Sequence, residues 1–577
     1  MDIKKKDSSN QTSDQAYWDS KSAFHRIGTG SLGGKAQGLE YFHRVLIDQF
    51  SSDEFPEIQV RIPAMVIICT DVFDKFMERN DLYDIARSDL PDDRIALAFQ
   101  RAELPFEILG ELRRLIAQVH TPLAIRSSSL LEDSTYDPFA GIYATKMIPN
   151  NQYDVDRRFR KLVEAIKLVY ASTYFGAAKD YLKITNHDLR DEKMAVIIQE
   201  EVGKRYGDGF YPELSGVARS YNFYPVGRAK PEDGVVHLAL GLGKTIVDGG
   251  ISWSYSPAYP KVDPPYRSVE ELLKQSQTQF WAVNMGEPPD YNPIEETEYL
   301  DLRDITVAEA DGTLRYLAST YDPYSRRLSI GLGSQGPRVL TFAPLLVLEQ
   351  IPVNHLVTSL LSISENAFKN PVEIEFAMTF NPHRFSFLQV RRMVVFKDRV
   401  KITEQDMIGE NVLLASDNVL GNGVFKNVQD IVYVHPEKFE SRHTITIAQE
   451  LSSINRGLVD AGHPYLLIVF GRLGTTDQWL GIPTNWGQVS GAKAIVEATK
   501  EDFNVVLSQG SHYFHNLTSL GVCYFSVPFS TKYKIDWEWL GEQEIQAESQ
   551  YIRHVRLPIP LTIMVDGCGS KGVIHKS

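Results

Sequence analysis

The sequence predicts a multi-domain protein of the mixed α/β and α+β classes. Its 577 residues exceed what one hydrophobic core usually serves and suggest about three domains. Short apolar runs typical of buried strands occur at 123–125 and 194–198, whereas apolar residues recur at helical spacing over 154–170. Hydrophobic residues make up 43% of the chain and charged residues 23%, which is typical of a globular protein.

The composition also restricts the partners and the compartment. There are 74 acidic and 60 basic residues, a net charge of −14, which argues against broad binding to nucleic acid or anionic membranes. The cysteines, Cys69, Cys523 and Cys568, share no metal-binding or disulfide spacing, as expected in a reducing cytoplasm. The apolar runs are too short to span a membrane, and residues 1–20 predict a disordered polar tail without a secretory signal.

The segment 123–141 reads LAIRSSSLLEDSTYDPFAG and carries the strongest chemical signal. Its apolar start predicts a buried strand, and we expect Arg126 and the three serines that follow to lie in a turn. An arginine there can hold phosphate oxygens through two parallel hydrogen bonds, and serine hydroxyls with loop N–H groups can line the same anion. On these residues alone, a polar turn that caps a helix is the alternative.

A glycine pair and a lysine precede the first predicted helix. Gly33, Gly34 and Lys35 open a helical pattern that runs to Phe42. Glycines let a phosphate approach backbone N–H groups and the lysine adds a positive charge, although an ordinary helix entry explains the same residues. A Walker A loop is excluded because Thr29 stands where its first glycine should be.

A β-hairpin is predicted over 371–391. With a side-chain period of two, Glu373 and Glu375 share a face of the first strand, and Gln389 and Arg391 share a face of the second. Neighbouring carboxylates repel each other unless a cation lies between them, and a Mg²⁺ ion bound to nucleotide phosphates would serve. The alternative is a solvent-exposed strand face.

Together, these segments resemble the ATP-binding domain of the phosphoenolpyruvate synthase and pyruvate phosphate dikinase family, a branch of the ATP-grasp fold. The family pattern of a strand, Arg-Ser-Ser, Glu-Asp and Phe-Ala-Gly corresponds to 123–141, and its Gly-Gly-Lys and its Gln-x-Arg strand are also present. The resemblance implies an ATP-grasp-like, two-lobed nucleotide-binding domain, with lobes at 21–205 and 206–398. It implies that ATP and Mg²⁺ are bound by Lys35, Arg126, Ser127, Glu373, Glu375, Gln389 and Arg391.

Three further segments resemble family strands or loops at the nucleotide. A predicted buried strand ends in Gln199 and Glu201, which share one face, and the family places this strand end along the adenine and ribose. Which side chain faces the nucleotide is open. Gly216 belongs to a Ser-Gly-Val strand that covers the phosphates in the family, and Lys244 stands where the family has glutamate, so the contacts of its loop are open. We expect residues 251–350 to form surface structure and helices that frame the cleft.

The last third, 399–577, resembles the family's swivelling domain in outline, which implies a smaller α/β domain with a phosphohistidine. It leaves no room for the family's pyruvate-binding barrel, which needs roughly 250 residues. The segment around His512 resembles the phosphohistidine motif, so the resemblance implies that His512 accepts a phosphoryl group. Because two bulky aromatic residues follow it, a structural relic is an alternative, and so is a metal site with His515.

Two main functions follow from these features. The first is a dikinase-like phosphotransferase that passes a phosphoryl group from Mg-ATP to a protein histidine, with Lys35, Arg126 and His512 as catalytic residues. The sequence leaves open whether the final phosphoryl acceptor is a small molecule or a protein. It also leaves open whether AMP or ADP is the product and whether the protein forms a homo-oligomer. The second is a catalytically silent ATP-binding regulator, and a scaffold without ATP affinity is a third. We expect a cytoplasmic protein without nucleic-acid or membrane partners.

Overall fold

The structure is a computed structural model. It describes residues 24–132, 141–184, 187–223, 225, 228–262, 269–274, 276–333, 336–393, 395, 400–475, 477–484, 486–503, 505, 521–567 and 569–576. Within these ranges, every helix is too short or too polar to cross a lipid bilayer.

The α-helices of the described residues are numbered in chain order. They are α1 (Gly33–Gln49), α2 (Thr70–Arg79), α3 (Tyr83–Arg87), α4 (Asp92–Arg101), α5 (Phe106–Gln118), α6 (Val155–Ser172), α7 (Gly176–Ile184), α8 (Lys244–Val247), α9 (Val269–Lys274), α10 (Ile305–Ala310), α11 (Ala343–Leu346), α12 (Val353–Phe368), α13 (Thr444–Asp460) and α14 (Trp537–Gly541).

The strands are numbered in the same way. They are β1 (Phe24–Ile27), β2 (Gln59–Arg61), β3 (Met65–Ile68), β4 (Leu123–Ser129), β5 (Thr145–Ile148), β6 (Met194–Glu200), β7 (Lys204–Tyr206), β8 (Gly209–Tyr211), β9 (Leu214–Arg219), β10 (Val235–Ala239), β11 (Trp253–Tyr255), β12 (Gln279–Asn284), β13 (Leu300–Asp304), β14 (Ala318–Asp322), β15 (Arg327–Ile330), β16 (Arg338–Leu340), β17 (Val372–Phe380), β18 (His383–Arg392), β19 (Val412–Ser416), β20 (Val419–Leu420), β21 (Asn422–Val434), β22 (Tyr465–Phe470), β23 (Arg472–Leu473), β24 (Gly481–Ile482), β25 (Ala492–Ala498), β26 (Cys523–Val527), β27 (Ile545–Glu548), β28 (Ile552–Asp566) and β29 (Lys571–His575).

The first sheet has five strands in the order β1-β3-β6-β4-β5. Strands β1 and β3 are parallel, and the other neighbours are antiparallel. Helix α6 packs on β4 and β5 and buries the predicted apolar positions Leu162 and Ile166 completely. Asp154 caps this helix by accepting a hydrogen bond from the backbone N–H of Asp156. The helix predicted over 154–170 is therefore confirmed.

The second sheet has six strands in the order β11-β10-β9-β17-β18-β2. The predicted hairpin is confirmed and forms β17 and β18. Strand β2 comes from the first part of the chain and pairs in parallel with β18, so it ties that part of the chain to the second sheet. Helix α1 packs on both sheets, since the Phe42 ring lies 4.4 Å from the Phe387 ring and the Ala36 N–H donates to Ser128 Oγ at 3.1 Å. The predicted Gly-Gly-Lys helix start thus places Lys35 where the two sheets meet.

The prediction that the serines after Arg126 lie in a turn is wrong. They continue strand β4 to Ser129, and their backbones pair with β6. All three serines are buried, and their hydroxyls form hydrogen bonds inside the protein. Ser128 Oγ, for example, donates to the carbonyl of Leu32 at 2.8 Å. A polar residue can occupy a buried strand when its hydroxyl is hydrogen-bonded, and the sequence pattern does not reveal those partners.

The described residues of the segment 251–350 form short strands as well as short helices, and the strands were not predicted. Its strands contribute to a four-stranded sheet, β13-β12-β8-β7, and form a three-stranded sheet, β15-β14-β16, while α9, α10 and α11 are short. The hydroxyls of Ser319 and Thr341 share a hydrogen bond of 2.7 Å inside this region. Tyrosine, threonine and valine favour strands, a signal that the many prolines obscure in the sequence.

The C-terminal part forms one mixed sheet in the order β19-β29-β28-β21-β22-β25-β26-β20, with β27 beside β28. Strands β21, β22, β25 and β26 are parallel, and α13 follows β21 as a crossover to β22. The Tyr465 hydroxyl fixes this helix by donating to Asn455 Oδ1 at 2.8 Å. His512 and His515 lie outside the described residues. The assignment of this part as a swivelling domain stays a prediction.

Candidate functional site

Arg126 connects the two sheets. It extends from β4, and its Nη1 donates to Gln199 Oε1 on β6 at 3.3 Å and to the carbonyl of Leu388 on β18 at 3.1 Å. Its Nη2 donates to Gln389 Oε1 at 3.1 Å and lies 3.9 Å from Glu375 Oε2. One guanidinium therefore contacts side chains from both sheets, and the structure brings these predicted site residues together.

The carboxylates of the hairpin lie among arginines. The strand pairing places Glu373 opposite Arg391 on one side and opposite Arg219 on the other, so all three share a face. Glu373 Oε2 accepts from Arg219 Nε at 2.6 Å, and Glu373 Oε1 accepts from Arg391 Nε at 2.7 Å and also from Arg391 Nη2. Glu375 is more exposed, with 12% of its side chain accessible, and lies 4.0 Å from Arg391. The two carboxylates thus have different surroundings.

Lys35 lies beside this network and is held by a buried carboxylate. Its Nζ lies 2.7 Å from Glu132 Oε1 and donates to Ser127 Oγ at 3.2 Å. Glu132 also accepts from Ser127 Oγ and from the backbone N–H of Ser129, both at 3.0 Å, while its own N–H donates to Ser129 Oγ at 3.1 Å. This reciprocal pair is the Ser-x-x-Glu capping pattern. The capping pattern fixes Glu132, and Glu132 in turn holds the ammonium group of Lys35 in place.

A second buried carboxyl lies close to Glu132. Burial raises the pKa of Glu192 to about 7, and the negative charge of Glu132 acts in the same direction, whereas hydrogen bonds from Ser129 and Tyr143 oppose the shift. The Tyr143 hydroxyl donates to Glu192 Oε1 at 3.1 Å. Glu192 therefore takes up or releases its proton near neutral pH. It lies next to Glu132, the carboxylate that holds Lys35.

The remaining residues predicted from the strands have distinct positions. Gln199 is buried and accepts from Arg126, whereas Glu201 lies just beyond the end of β6 and is half-buried. Burial raises the pKa of Glu201 to about 7, and the positive charge of Arg126 opposes the shift. Gly216 lies under the ring of Phe376, where a Cβ atom would approach the ring carbon Cζ to 2.1 Å. Close packing alone therefore requires glycine at position 216.

Lys244 brings another cation to the same cleft. It begins α8, next to the start of β9, and its Nζ lies 2.7 Å from Asp248 Oδ2. Burial acts to lower the pKa of Lys244, but attraction to Asp248 and Glu296 outweighs it, so the pKa is raised. Partial loss of hydration raises the pKa of Glu296 although its side chain stays accessible to solvent, whereas Lys244, the Thr145 N–H and Lys35 act to lower it. Glu296 is thus within electrostatic reach of both lysines.

Three residues of the site were not predicted as such. Glu132 has a sequence signal, the Ser-x-x-Glu pattern that begins at Ser129. Arg219 has a weaker one, because only the pairing of β9 with β17 places it opposite Glu373. Glu296 has no sequence signal, since its position depends on the packing of a loop against β5.

The site fits a magnesium ion that arrives on a nucleotide. Mg²⁺ prefers oxygen ligands and usually keeps several waters and phosphate oxygens, so it needs only one or two protein carboxylates. Glu375 is such a carboxylate and borders the cleft, whereas both oxygens of Glu373 already accept hydrogen bonds from arginines. Among the described residues, three or more acidic, histidine or cysteine side chains are nowhere grouped as a metal cage.

The C-terminal part of the chain contacts the segment that follows α8. Arg472, at the start of β23, donates through Nη1 to the carbonyls of Gly249 and Gly250. These glycines directly follow the short helix that carries Lys244. The pKa of buried His237 is lowered to about 3 by burial and by the positive charges of Arg219 and Arg472, while Glu373 acts to raise it. Arg472 therefore lies within electrostatic reach of His237.

Comparison with known proteins gives two similarities. The family of the pyruvate phosphate dikinase AMP/ATP-binding domain matches residues 29–411, more than half of the chain. The phosphoenolpyruvate synthase of Aeropyrum pernix is 22% identical to the chain over 413 residues, which are 66% of this chain and 43% of that protein. The chain therefore spans less than half the length of this relative. The range matched by the family includes Lys35, Arg126, Lys244, Glu375 and Arg391.

Proposed function

The chain belongs to the phosphoenolpyruvate synthase and pyruvate phosphate dikinase family, and on this premise we propose that it is a phosphotransferase that uses Mg-ATP. The observation that carries the proposal is the position of Arg126. This guanidinium from the first lobe binds Gln389 of the second lobe and lies 3.9 Å from Glu375, so one nucleotide could contact both lobes there. The proposal includes an ATP-grasp-like arrangement of the two lobes and a cytoplasmic location.

The cationic side chains have the main role in binding and reaction. Lys35, Arg126 and Arg391 would neutralise the phosphate oxygens of ATP, and Ser127 orients Lys35 through their hydrogen bond. Phosphoryl transfer requires mostly positioning and charge stabilisation from a protein, which fixed cations supply without further reorganisation. Arg126 suits this task because its planar guanidinium can exchange two amide oxygens for two phosphate oxygens.

Glu375 is the proposed direct ligand of Mg²⁺. When bound there, the ion would neutralise phosphate charge in the transition state. Glu373 would join it as a ligand only by releasing Arg219 or Arg391, so we propose that it mainly orients these arginines. At the other end of the nucleotide, Gln199 or Glu201 would contact the adenine or ribose, and the strand around Gly216 would cover the phosphates.

His512 is the proposed phosphoryl acceptor. A ring nitrogen of His512 attacks a phosphorus atom of ATP, so that a P–N bond forms while a P–O bond breaks and its electrons leave with the nucleotide product. The contact of Arg472 with Gly249 and Gly250 supports this step, because it joins the C-terminal part of the chain to the segment that follows Lys244. The second acceptor would be a small molecule or a protein.

Labelled ATP provides the test. The full-length protein is incubated with Mg²⁺ and ATP carrying label at the β or γ position, and protein-bound label and released nucleotide are measured. We expect acid-labile label on the wild-type protein and on the control His515→Ala, and none on His512→Ala. Absence of label from the wild-type protein, with neither AMP nor ADP above background, would overturn the proposed transfer. The position of the retained label also distinguishes AMP from ADP as product.

A nucleotide-binding regulator without turnover is the second candidate. Lys244 favours it, because a lysine replaces the glutamate that the resemblance places in this loop. The aromatic residues Tyr513 and Phe514 after His512 favour it as well. It predicts that calorimetry detects Mg-ATP binding while the labelling experiment stays negative. Both candidates share the binding site around Arg126, and a protein without ATP affinity contradicts both.

A further inference from the structure

We propose that Lys244 binds the polyphosphate of the nucleotide and that the Glu296 carboxylate, which lies near Lys244 in the absence of nucleotide, is displaced when the polyphosphate binds. This inference rests on the proposed function, since it concerns the same cleft. It assigns roles to two residues that the family pattern leaves without one, namely a lysine at a glutamate position and a glutamate on a distant loop.

The position of Lys244 carries the first part of the argument. Residue Gly243, just before it, lies beside Ser215 at the start of β9, where a Cβ on the glycine would be 3.9 Å from the Ser215 Cβ. Strand β9 pairs with β17 and places Val217 opposite Glu375, the proposed metal ligand. Ser215 and Val217 share a face of β9, so Lys244 lies close to the strand position opposite Glu375. About a fifth of the Lys244 side chain is exposed, so a ligand can reach the ammonium group.

The loop that carries Glu296 is held firmly in place. Buried Lys146 of β5 donates to the carbonyls of Pro293 at 3.1 Å and Glu295 at 2.8 Å, and lies 2.6 Å from the carboxylate of Glu298. These contacts fix the backbone on both sides of Glu296. Its carboxylate then accepts one hydrogen bond, from the backbone N–H of Thr145 at 3.1 Å, and its side chain is exposed. The loop is thus rigid, whereas the Glu296 side chain can move.

Position and charge explain why Glu296 would be displaced. Glu296 accepts a hydrogen bond from Thr145, which lies opposite Arg126 in the pairing of β5 with β4. Lys35 and Lys244 both act on the Glu296 carboxylate from a longer distance. Each lysine also has a closer carboxylate, Glu132 for Lys35 and Asp248 for Lys244. A polyphosphate attracted to these lysines would repel Glu296, the most exposed of the three carboxylates. Since one neutral hydrogen bond holds the Glu296 carboxylate among the residues that the structure describes, its side chain can turn away without disturbing the loop.

The test compares variants of the full-length protein by calorimetric titration with Mg-ATP and, separately, with inorganic tripolyphosphate. Lys244→Ala should weaken the binding of both by about tenfold, the change expected for one charge-assisted hydrogen bond, and Lys244→Arg should restore most of it. Glu296→Gln should tighten binding by about threefold, because a competing anion is removed. When Glu296→Gln is combined with Lys244→Ala, it should increase the affinity by less than it does in the wild-type background.

Glu295→Gln is the matched control. Glu295 lies on the same loop, but its carboxylate accepts hydrogen bonds from Asn292 and Thr297 within the loop. The Glu295→Gln variant should therefore bind both ligands as tightly as the wild type. Weaker or unchanged binding by Glu296→Gln overturns the role of Glu296, and unchanged binding by Lys244→Ala overturns that of Lys244. If the wild type binds tripolyphosphate but not Mg-ATP, the proposed function fails, and the tripolyphosphate titrations still decide this inference. If it binds neither ligand, both proposals are overturned.

Discussion

Replacing Glu373 and Glu375 separately by glutamine should distinguish a carboxylate that stabilises the fold from one that binds a metal ion. Glu373→Gln removes the charge shared by Arg219 and Arg391, which are 7% and 2% exposed at their side chains. Glu375→Gln removes a more exposed carboxylate that lies 3.9 Å from Arg126 and 4.0 Å from Arg391. The two substitutions are chemically identical and lie two residues apart on one strand.

The expected magnitudes follow from burial and distance. Removing one partner of a buried ion pair costs about 3–5 kcal/mol, because the remaining charge is uncompensated. Glu373 has two such partners, so we expect the upper part of this range and a midpoint lower by about 10 °C for a lobe of this size. Glu375 lies farther from Arg126 and Arg391, at 3.9 and 4.0 Å, and its side chain is more accessible than that of Glu373, so its loss should lower the free energy of unfolding by a smaller amount, about 1 kcal/mol.

Thermal unfolding and calorimetric ATP titration with and without Mg²⁺ are the two measurements. Glu373→Gln should lower the unfolding midpoint, whereas Glu375→Gln should lower it much less and lose the difference in affinity between Mg-ATP and free ATP. Glu373→Asp is the matched control, because it keeps the charge between the arginines and shortens the side chain by one methylene. An unchanged midpoint in Glu373→Gln would refute the stabilising role. Retained magnesium dependence in Glu375→Gln would refute the proposed ligand.

Three other predictions follow from the same contacts. Arg126→Ala should weaken Mg-ATP binding by about 100-fold, and Arg126→Lys should recover only part of the loss, because a lysine cannot offer two parallel hydrogen bonds; calorimetry measures both. Burial raises the pKa of Glu192 from 4.5 to about 7, so the folded state holds this proton more tightly than the unfolded state. The free energy of unfolding should therefore fall as the pH rises from about 4.5 to about 7. Glu192→Gln should remove this pH dependence, as measured by melting curves from about pH 4 to 8. Arg472→Ala should raise amide hydrogen exchange over 244–250 by about tenfold, while the exposed control Arg442→Ala should leave exchange there unchanged.

The residues that the sequence predicted correctly depend on local pattern. The hairpin with Glu373 and Glu375 follows from a period of two on both sides of a turn, and the helix after Lys35 follows from apolar spacing. The serines after Arg126 were placed wrongly because their partners, Leu32 and Glu132 among others, come from other segments. Local pattern alone cannot show that a polar residue will be satisfied inside the protein.

The residues that were missed depend on distant pairing. Glu296 reaches the cleft only because its loop packs on β5, where it contacts Thr145, a residue 151 positions earlier in the chain. Arg219 meets Glu373 across 154 positions, through the register of β9 with β17. The resemblance to a known family brought Arg126 and Gln389 together in advance, and no spacing or periodicity in the sequence could have done so.

The charges of the cleft explain why its nucleotide should arrive as a magnesium complex. Its cations are Lys35, Arg126, Arg219, Lys244 and Arg391, and its anions are Glu132, Asp248, Glu296, Glu373 and Glu375. Since the two sets are equal in number, free ATP would bring several negative charges into a cleft that is already neutral. A bound Mg²⁺ cancels two of these charges, and displacement of Glu296 from the lysines removes one more from their vicinity. The affinity for ATP should therefore depend on magnesium more strongly in the wild type than in Glu296→Gln, because the variant no longer has this anion to displace.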